Sequence, residues 1–220
     1  SFPIFEFSKI CLTALPVKAT LKNLYREDHL TMTDKLVDQL ESIFHARAMA
    51  VVGVADRIEN MGMAFLMGYR DSGFQGAQYA VHPTKTMTGF DTYPGLTAIP
   101  GPVDVVIICV PAQAVPQVMA DCAVKGAKGV AIFSSGFRES GTAEGLALEE
   151  EIITIARDNG IRVAGPNCMG FYCPATGLTI RPDMPALPGG QIALVSQSGG
   201  IAISTIMAAA EKGIGLSKVI

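Results

Sequence analysis

The sequence predicts an α/β fold on a mostly parallel sheet, and three observations carry that prediction. Short apolar runs bounded by turn residues recur along the chain, helical patterns stand between them, and the clearest helical stretches end at Gly126 and at Asn159-Gly160. Such a succession of strand and helix implies crossovers that cover both faces of a parallel sheet, with ligands bound beyond the carboxyl ends of its strands.

Taken in order, Leu36, Val37, Leu40, Ile43 and Phe44 recur at helical spacing behind Asp34, so a lead-in helix is expected over 34–46. Strands are expected over 48–54, 77–81, 103–110, 129–133 and 161–164, and helices over 62–69, 112–125 and 143–158. The stretch 173–190 is rich in proline and glycine and reads as a linker. A further strand, 191–196, a helix, 201–212, and the start of another strand at 217 follow it. Residues 1–31 show no periodicity and precede Met32, so they are expected to be a poorly ordered leader. The expected organisation is therefore a leader over 1–31, a Rossmann-like domain over 32–172, a linker over 173–190, and over 191–220 the first βαβ unit of a second domain that is cut short.

Composition narrows the function classes. The net charge is -3 and Lys and Arg are scattered, which argues against nucleic acid or an anionic membrane as partner. No run approaches the ~18 apolar residues that span a bilayer. Five cysteines without a CxxC pair suit reduced thiols in a cytoplasm, and no metal site is expected.

The turns at the strand ends carry the chemistry. After the first strand comes Gly53-Val54-Ala55-Asp56-Arg57-Ile58-Glu59-Asn60-Met61-Gly62, in which Gly53 permits a tight turn and Gly62 lets backbone amides approach a phosphate at the start of a helix. It is not GxGxxG, and strand-to-helix punctuation explains it equally well. The second strand runs into His82-Pro83-Thr84-Lys85, with a cation where an NAD-binding fold keeps an acid. Lys85 suits a ribose phosphate, as in CoA or NADP, or is a solvated surface lysine. Val110 and Pro111 form an apolar wall fit for a nucleotide or pantetheine, or a plain helix start. Ser134, Ser135 and Gly136 offer hydroxyls and amides to a thioester or phosphate oxygen, whereas a serine nucleophile is a poor reading because no histidine follows His82. Asn167, in Gly165-Pro166-Asn167-Cys168-Met169-Gly170, could aim its amide at a carbonyl, or fill an ordinary turn; Cys168 reads better as a buried thiol than as a nucleophile. Ser196, Ser198, Gly199 and Gly200 form a strand-to-helix turn suited to a phosphoryl group.

Taken in their order, VVGVADRIENMG, VHPTK, CVPA, FSSGFRE, GPNCMG and SQSGG resemble the NDP-forming acyl-CoA synthetases, which include ADP-forming acetyl-CoA synthetase and the succinyl-CoA synthetase alpha subunit. The resemblance covers about residues 41–220. It implies a CoA-binding Rossmann-like domain followed by a flavodoxin-like domain, and formation of acyl-CoA from acid, CoA and ATP through an acyl phosphate and a phosphohistidine. CoA would meet Gly53 and the loop with Ala55, Arg57 and Gly62, then Lys85, Val110, Pro111 and the Ser134–Gly136 turn, with Asn167 at the thioester end. The start of the helix at Ser198-Gly199-Gly200 would face the phosphohistidine. That histidine has no match in His29, His45 or His82, so no catalytic residue is expected in this chain, and alone it is expected to be inactive. ATP or ADP, with magnesium, would belong to an ATP-grasp domain or beta subunit, the expected partner besides CoA, in a homo- or hetero-oligomer. The competing expectations are a stand-alone CoA-binding or regulatory module and an NADP-binding Rossmann oxidoreductase.

Overall fold

The computed structural model describes residues 27–57, 59–185 and 187–220, and of 27–33 and 35 the backbone alone. From Leu40 onward the chain forms one compact unit. At its centre lies a wholly parallel sheet of β1 (Ala48–Val52), β2 (Ala77–Val81), β3 (Asp91–Tyr93), β4 (Val105–Ile108), β5 (Gly129–Ile132) and β6 (Arg162–Ala164), in the order β3-β2-β1-β4-β5-β6. The order reverses between β1 and β4, and the turns beyond those two strands leave in opposite directions. This is the strand order of a Rossmann sheet.

Successive side chains of a strand face opposite ways, and here both faces are buried. Met49, Val51, Val105 and Ile107 pack with Ile43 and Phe44 of α1 (Glu27–Phe44) and Phe65, Leu66 and Tyr69 of α2 (Met61–Asp71). Ala50, Val52, Val106 and Ile108 pack on the other side with Val115, Met119 and Cys122 of α3 (Val115–Lys125) and Ile152 and Ala156 of α4 (Ala143–Asp158). Burial of each large side chain contributes roughly 1.5–3 kcal/mol. Asp104 ties the strand starts together, its carboxylate accepting from the amides of Arg47 at 2.7 Å and Ala48 at 3.1 Å.

The helix ends follow from their residues. Gly126 at φ 72° closes α3, and the Ala127 amide returns to the Cys122 carbonyl at 3.0 Å. Thr142 caps α4 by accepting from the Gly145 amide at 3.0 Å. Several element bounds shift by one or two residues, and three elements differ more. β3 has only three residues, too few to show a period, and lies at the sheet edge where Tyr79 and Tyr93 meet edge to face at 5.6 Å. α3 starts at Val115 behind a 3-10 turn over Ala112–Ala114, with Pro116 in its first turn where no amide is needed. α1 starts at Glu27 rather than Asp34; the expected leader lies outside the described residues as far as residue 26.

The proline-rich stretch after β6 is packed. Cys173, Leu178, Thr179, Ile180 and Met184 are buried, and the Thr176 hydroxyl donates to the Phe44 carbonyl at 2.8 Å. It leads to a parallel pair, β7 (Gly189–Leu194) and β8 (Leu216–Val219), joined through α5 (Gly199–Glu211). Tyr172 bridges antiparallel to Val219, and a small core gathers Tyr172, Ile180, Ala202, Ile206 and Leu216. Elsewhere this unit is bare: Ile192 is 54% exposed, Ile201 61% and Val195 83%. Among the described residues no helix is long and apolar enough to cross a membrane.

Tyr172 is 2% exposed, yet its hydroxyl has no hydrogen-bond partner among the described residues. A buried hydroxyl without a partner is a cost that phenylalanine avoids. Tyr172→Phe is therefore expected to leave the urea midpoint unchanged or raise it; a loss above about 1 kcal/mol would reveal a bond to that hydroxyl.

Candidate functional site

β1 delivers the chain to Gly53 at φ 93°, a conformation that favours glycine. A Cβ there would stand 2.4 Å from the Cys109 carbonyl oxygen, so the turn after β1 can pass against the end of β4 only because that side chain is missing. Asn60 closes the same turn. Its Oδ1 accepts from the amides of Met63 at 2.9 Å and Ala55 at 3.0 Å, and its Nδ2 donates to the Gly53 carbonyl at 3.2 Å. It is thereby the N-cap of α2. The Ala55 amide is used up in this way, while the amides of Met61 and Gly62 carry no hydrogen bond among the described residues. Those two donors stand at the positive end of the helix dipole. Gly62 itself is buried, and a side chain on it would meet the Gly53 carbonyl oxygen at 2.9 Å. Arg57 is exposed and lines a separate cleft of about 200 Å³ with Asp56, Met63 and Arg70.

Beyond β2, His82 folds the chain back on itself, its Nδ1 accepting from the amides of Thr84 at 3.2 Å and Lys85 at 3.0 Å. This fixes the backbone of Lys85 and leaves its side chain exposed. Val110 is half-buried and Pro111 exposed at the end of β4. The Ser134 hydroxyl donates to the Val110 carbonyl, and the Ser134 carbonyl accepts from the Asn167 amide at 2.9 Å. The turns after β4, β5 and β6 are thus tied in series.

Ser135 is exposed, and the Gly136 amide donates to Glu139 Oε1 at 2.7 Å. Desolvation pushes the Glu139 carboxyl up, but the backbone amides of Gly136, Glu139 and Phe137 outweigh it and hold it below the usual carboxylate range. Asn167 sits at φ 53° with its side chain exposed. Burial pushes the Cys168 thiol up against the opposing pull of the Gly170 amide, and pushes Cys109 up to about 12. Neither is a thiolate at neutral pH.

A cleft of about 630 Å³ lies between the turn after β6 and the start of α5. It brings Asn167 together with Ser196 and Gly199, and adds Arg138, Met169 and Gln197. Ser198 caps α5 by accepting from the Ile201 amide at 3.3 Å, and the Ser196 hydroxyl donates to the Ser198 carbonyl at 3.0 Å. A Cβ on Gly199 would stand 2.8 Å from Met169 Cγ, so close approach of the two walls favours glycine, whereas a Cβ on Gly200 would meet only Ser198 Oγ, at 3.9 Å. Gly53, Ala55, Gly62, Lys85, Val110 and Pro111 are not among the residues that line this cleft. The expected site residues therefore fall into two groups: the turns after β1, β2 and β4 with the Ser134–Gly136 turn after β5, which lie outside this cleft, and the cleft wall after β6 and at the start of α5.

Sequence reasoning missed Asn60, His82 and the acids Glu139 and Glu149. Asn60 left a usable signal, an Asn three residues ahead of Met63 at a helix start. His82 and Glu149 left none, because what they bind depends on how the chain folds.

Comparison with known proteins gives a consistent picture. The family described as CoA binding domain matches residues 47–174. The chain is 34% identical to acetate–CoA ligase [ADP-forming] I of Archaeoglobus fulgidus, over 82% of this chain and 26% of the relative. It is 36% identical to the alpha subunit of acetate–CoA ligase [ADP-forming] I of Pyrococcus furiosus, over 82% of this chain and 40% of that subunit. The dinucleotide-forming acetyl-coenzyme A synthetase 1 of Ca. Korarchaeum cryptofilum, solved with phosphate and ADP, superposes with a TM-score of 0.75 at 33% identity, over 82% of this chain and 39% of that one. The chain thus spans well under half the length of these relatives.

The first turn makes a direct prediction. Asn60→Ala removes a helix cap and is expected to cost about 1 kcal/mol in urea unfolding, while Asn60→Asp, an equally good cap, should recover most of it. Equal losses in both variants would show that the cap is not what Asn60 contributes.

Proposed function

The chain belongs to the CoA-binding domain family, and on that premise we propose that it is the CoA-binding part of an NDP-forming acyl-CoA ligase. Such an enzyme joins a carboxylic acid to CoA while ATP becomes ADP and phosphate. The observation that carries the reading is the family match over the same strand-end turns that leave the Met61 and Gly62 amides without a hydrogen bond beside the β1–β4 reversal. Relatives named as ADP-forming CoA ligases support it.

In this reading the amides of Met61 and Gly62 receive a CoA phosphate that the turn around Gly53, Ala55 and Arg57 admits. Lys85 meets the ribose phosphate, and Val110 and Pro111 lie under the nucleotide. The Ser134–Gly136 turn borders the pantetheine, and Asn167 meets the thioester end in the cleft. The start of α5, with Ser196, Ser198, Gly199 and Gly200, faces a phosphoryl group brought by another part of the enzyme. That part, together with ATP and magnesium, belongs to an ATP-grasp domain or beta subunit; a relative named as an alpha subunit supports such a partner. The β7–α5–β8 unit is the first βαβ of a flavodoxin-like domain. Bare Ile192 and Val195 support this, because parallel strands are ordinarily covered on both faces. A cytoplasmic setting suits these substrates.

Calorimetry tests the reading. CoA is expected to bind and NADPH not; the reverse result would favour an oxidoreductase. Lys85→Ala should weaken CoA about five- to tenfold, a loss on the order of 1 kcal/mol, and dephospho-CoA hardly at all. Equal losses would remove Lys85 from the ribose phosphate.

A further inference from the structure

Arg138 stands in the turn after β5 and lines the cleft shared by Asn167 and Gly199. Glu149 on α4 holds it at two points: Oε1 accepts from Arg138 Nε at 3.0 Å, and Oε2 accepts from the Arg138 backbone amide at 3.1 Å. The acid side chain is 16% exposed and the arginine 60%. A largely covered carboxylate on a helix thus grips the stem side of the guanidinium and turns its head outward. Because the ion pair uses Nε, the terminal amino groups have no partner among the described residues, and these form the fork that pairs with carboxylate or phosphoryl oxygens.

The rest of the cleft matches that fork. Its other carboxylate, Glu139, is engaged by the Gly136 amide, as Glu149 is by Arg138. The donors left over are the Arg138 fork, the side-chain NH2 groups of Asn167 and Gln197, and the Gly199 amide in the first turn of α5. Arg138 is the one cation among the residues that line the cleft.

We propose that Arg138, aimed by Glu149, selects a small oxyanion in this cleft: the carboxylate of the acid or the phosphoryl group of its acyl phosphate. Glu149 is the positioning residue. The inference rests on the CoA reading of the same site and adds the charge of the second ligand.

The test is a titration of the full chain with inorganic phosphate and, separately, with acetate, at constant ionic strength. Backbone amide NMR signals are followed, with CoA calorimetry in parallel. Phosphate or acetate should shift the Gly199 and Asn167 amides, and whichever acts identifies the group recognised. Arg138→Gln should weaken that response at least fivefold while CoA affinity stays within about twofold. Arg138→Lys should keep part of it, since lysine retains the charge without the fork. Glu149→Gln gives the sharpest outcome. Removal of a negative charge should tighten anion binding if only net charge matters, whereas loss of the grip on Arg138 should weaken it, by about threefold or more. Unchanged urea midpoints confirm that the variants fold. A response that ignores Arg138→Gln, one that tightens in Glu149→Gln, or none to either anion overturns the inference. A wild-type chain that fails to bind CoA counts against the reading it rests on.

Discussion

Burial of a parallel sheet on both faces is the constraint from which the rest of this molecule follows. Met49 and Val51 face one core, Ala50 and Val52 the other, and helices cover each side. Backbone groups in such a sheet are consumed by the strand ladder, so exposed donors occur mainly where the chain leaves it. The carboxyl edge is therefore where ligand chemistry concentrates. The contact of Gly53 with the Cys109 carbonyl fixes how closely the turns after β1 and β4 approach. A side chain at that position would part them and with them the amides of Met61 and Gly62.

Much of this was legible in the sequence. The alternation of apolar runs with helical stretches gave the layered fold, and α4 has the bounds its pattern and its Asn159-Gly160 end indicated. β3 was not legible, because three residues at a sheet edge carry no period. The stretch after β6 was misleading in composition: its prolines and glycines read as a loose connection, yet Leu178, Thr179 and Ile180 are buried under the rest of the chain. Loop composition reports the backbone conformations a segment can adopt, and burial depends on what it meets. The site divides along the same line. Gly53, Lys85 and Asn167 could be picked out because their residue types suit particular strand-end positions. Asn60 organises the Gly53 turn and His82 the Lys85 turn, while Glu149 holds Arg138, all through bonds that form only once the turns are folded.

The cleft beside α5 lies between the large sheet and the β7–β8 pair, within the compact unit that begins at Leu40. Tyr172 pairs with Val219, Met169 packs where Gly199 lacks a side chain, and the Ser196 amide donates to the Ile220 carbonyl at 2.8 Å. One wall thus comes from the large sheet and the other from the small one, with Arg138 and Asn167 facing the start of a helix. Separate ligands could meet there, one reaching in along the strand-end turns and one held at the helix. That division is what the proposed CoA-binding role would use.

Hydrogen exchange with and without CoA tests the central claim most directly. CoA bound across the turns beyond β1, β2 and β4 should slow exchange at Met61 and Gly62, with further protection near Asn167, and leave the β7–β8 pair unchanged. Protection confined to the small sheet, or none at the first turn while CoA is bound, would contradict the account.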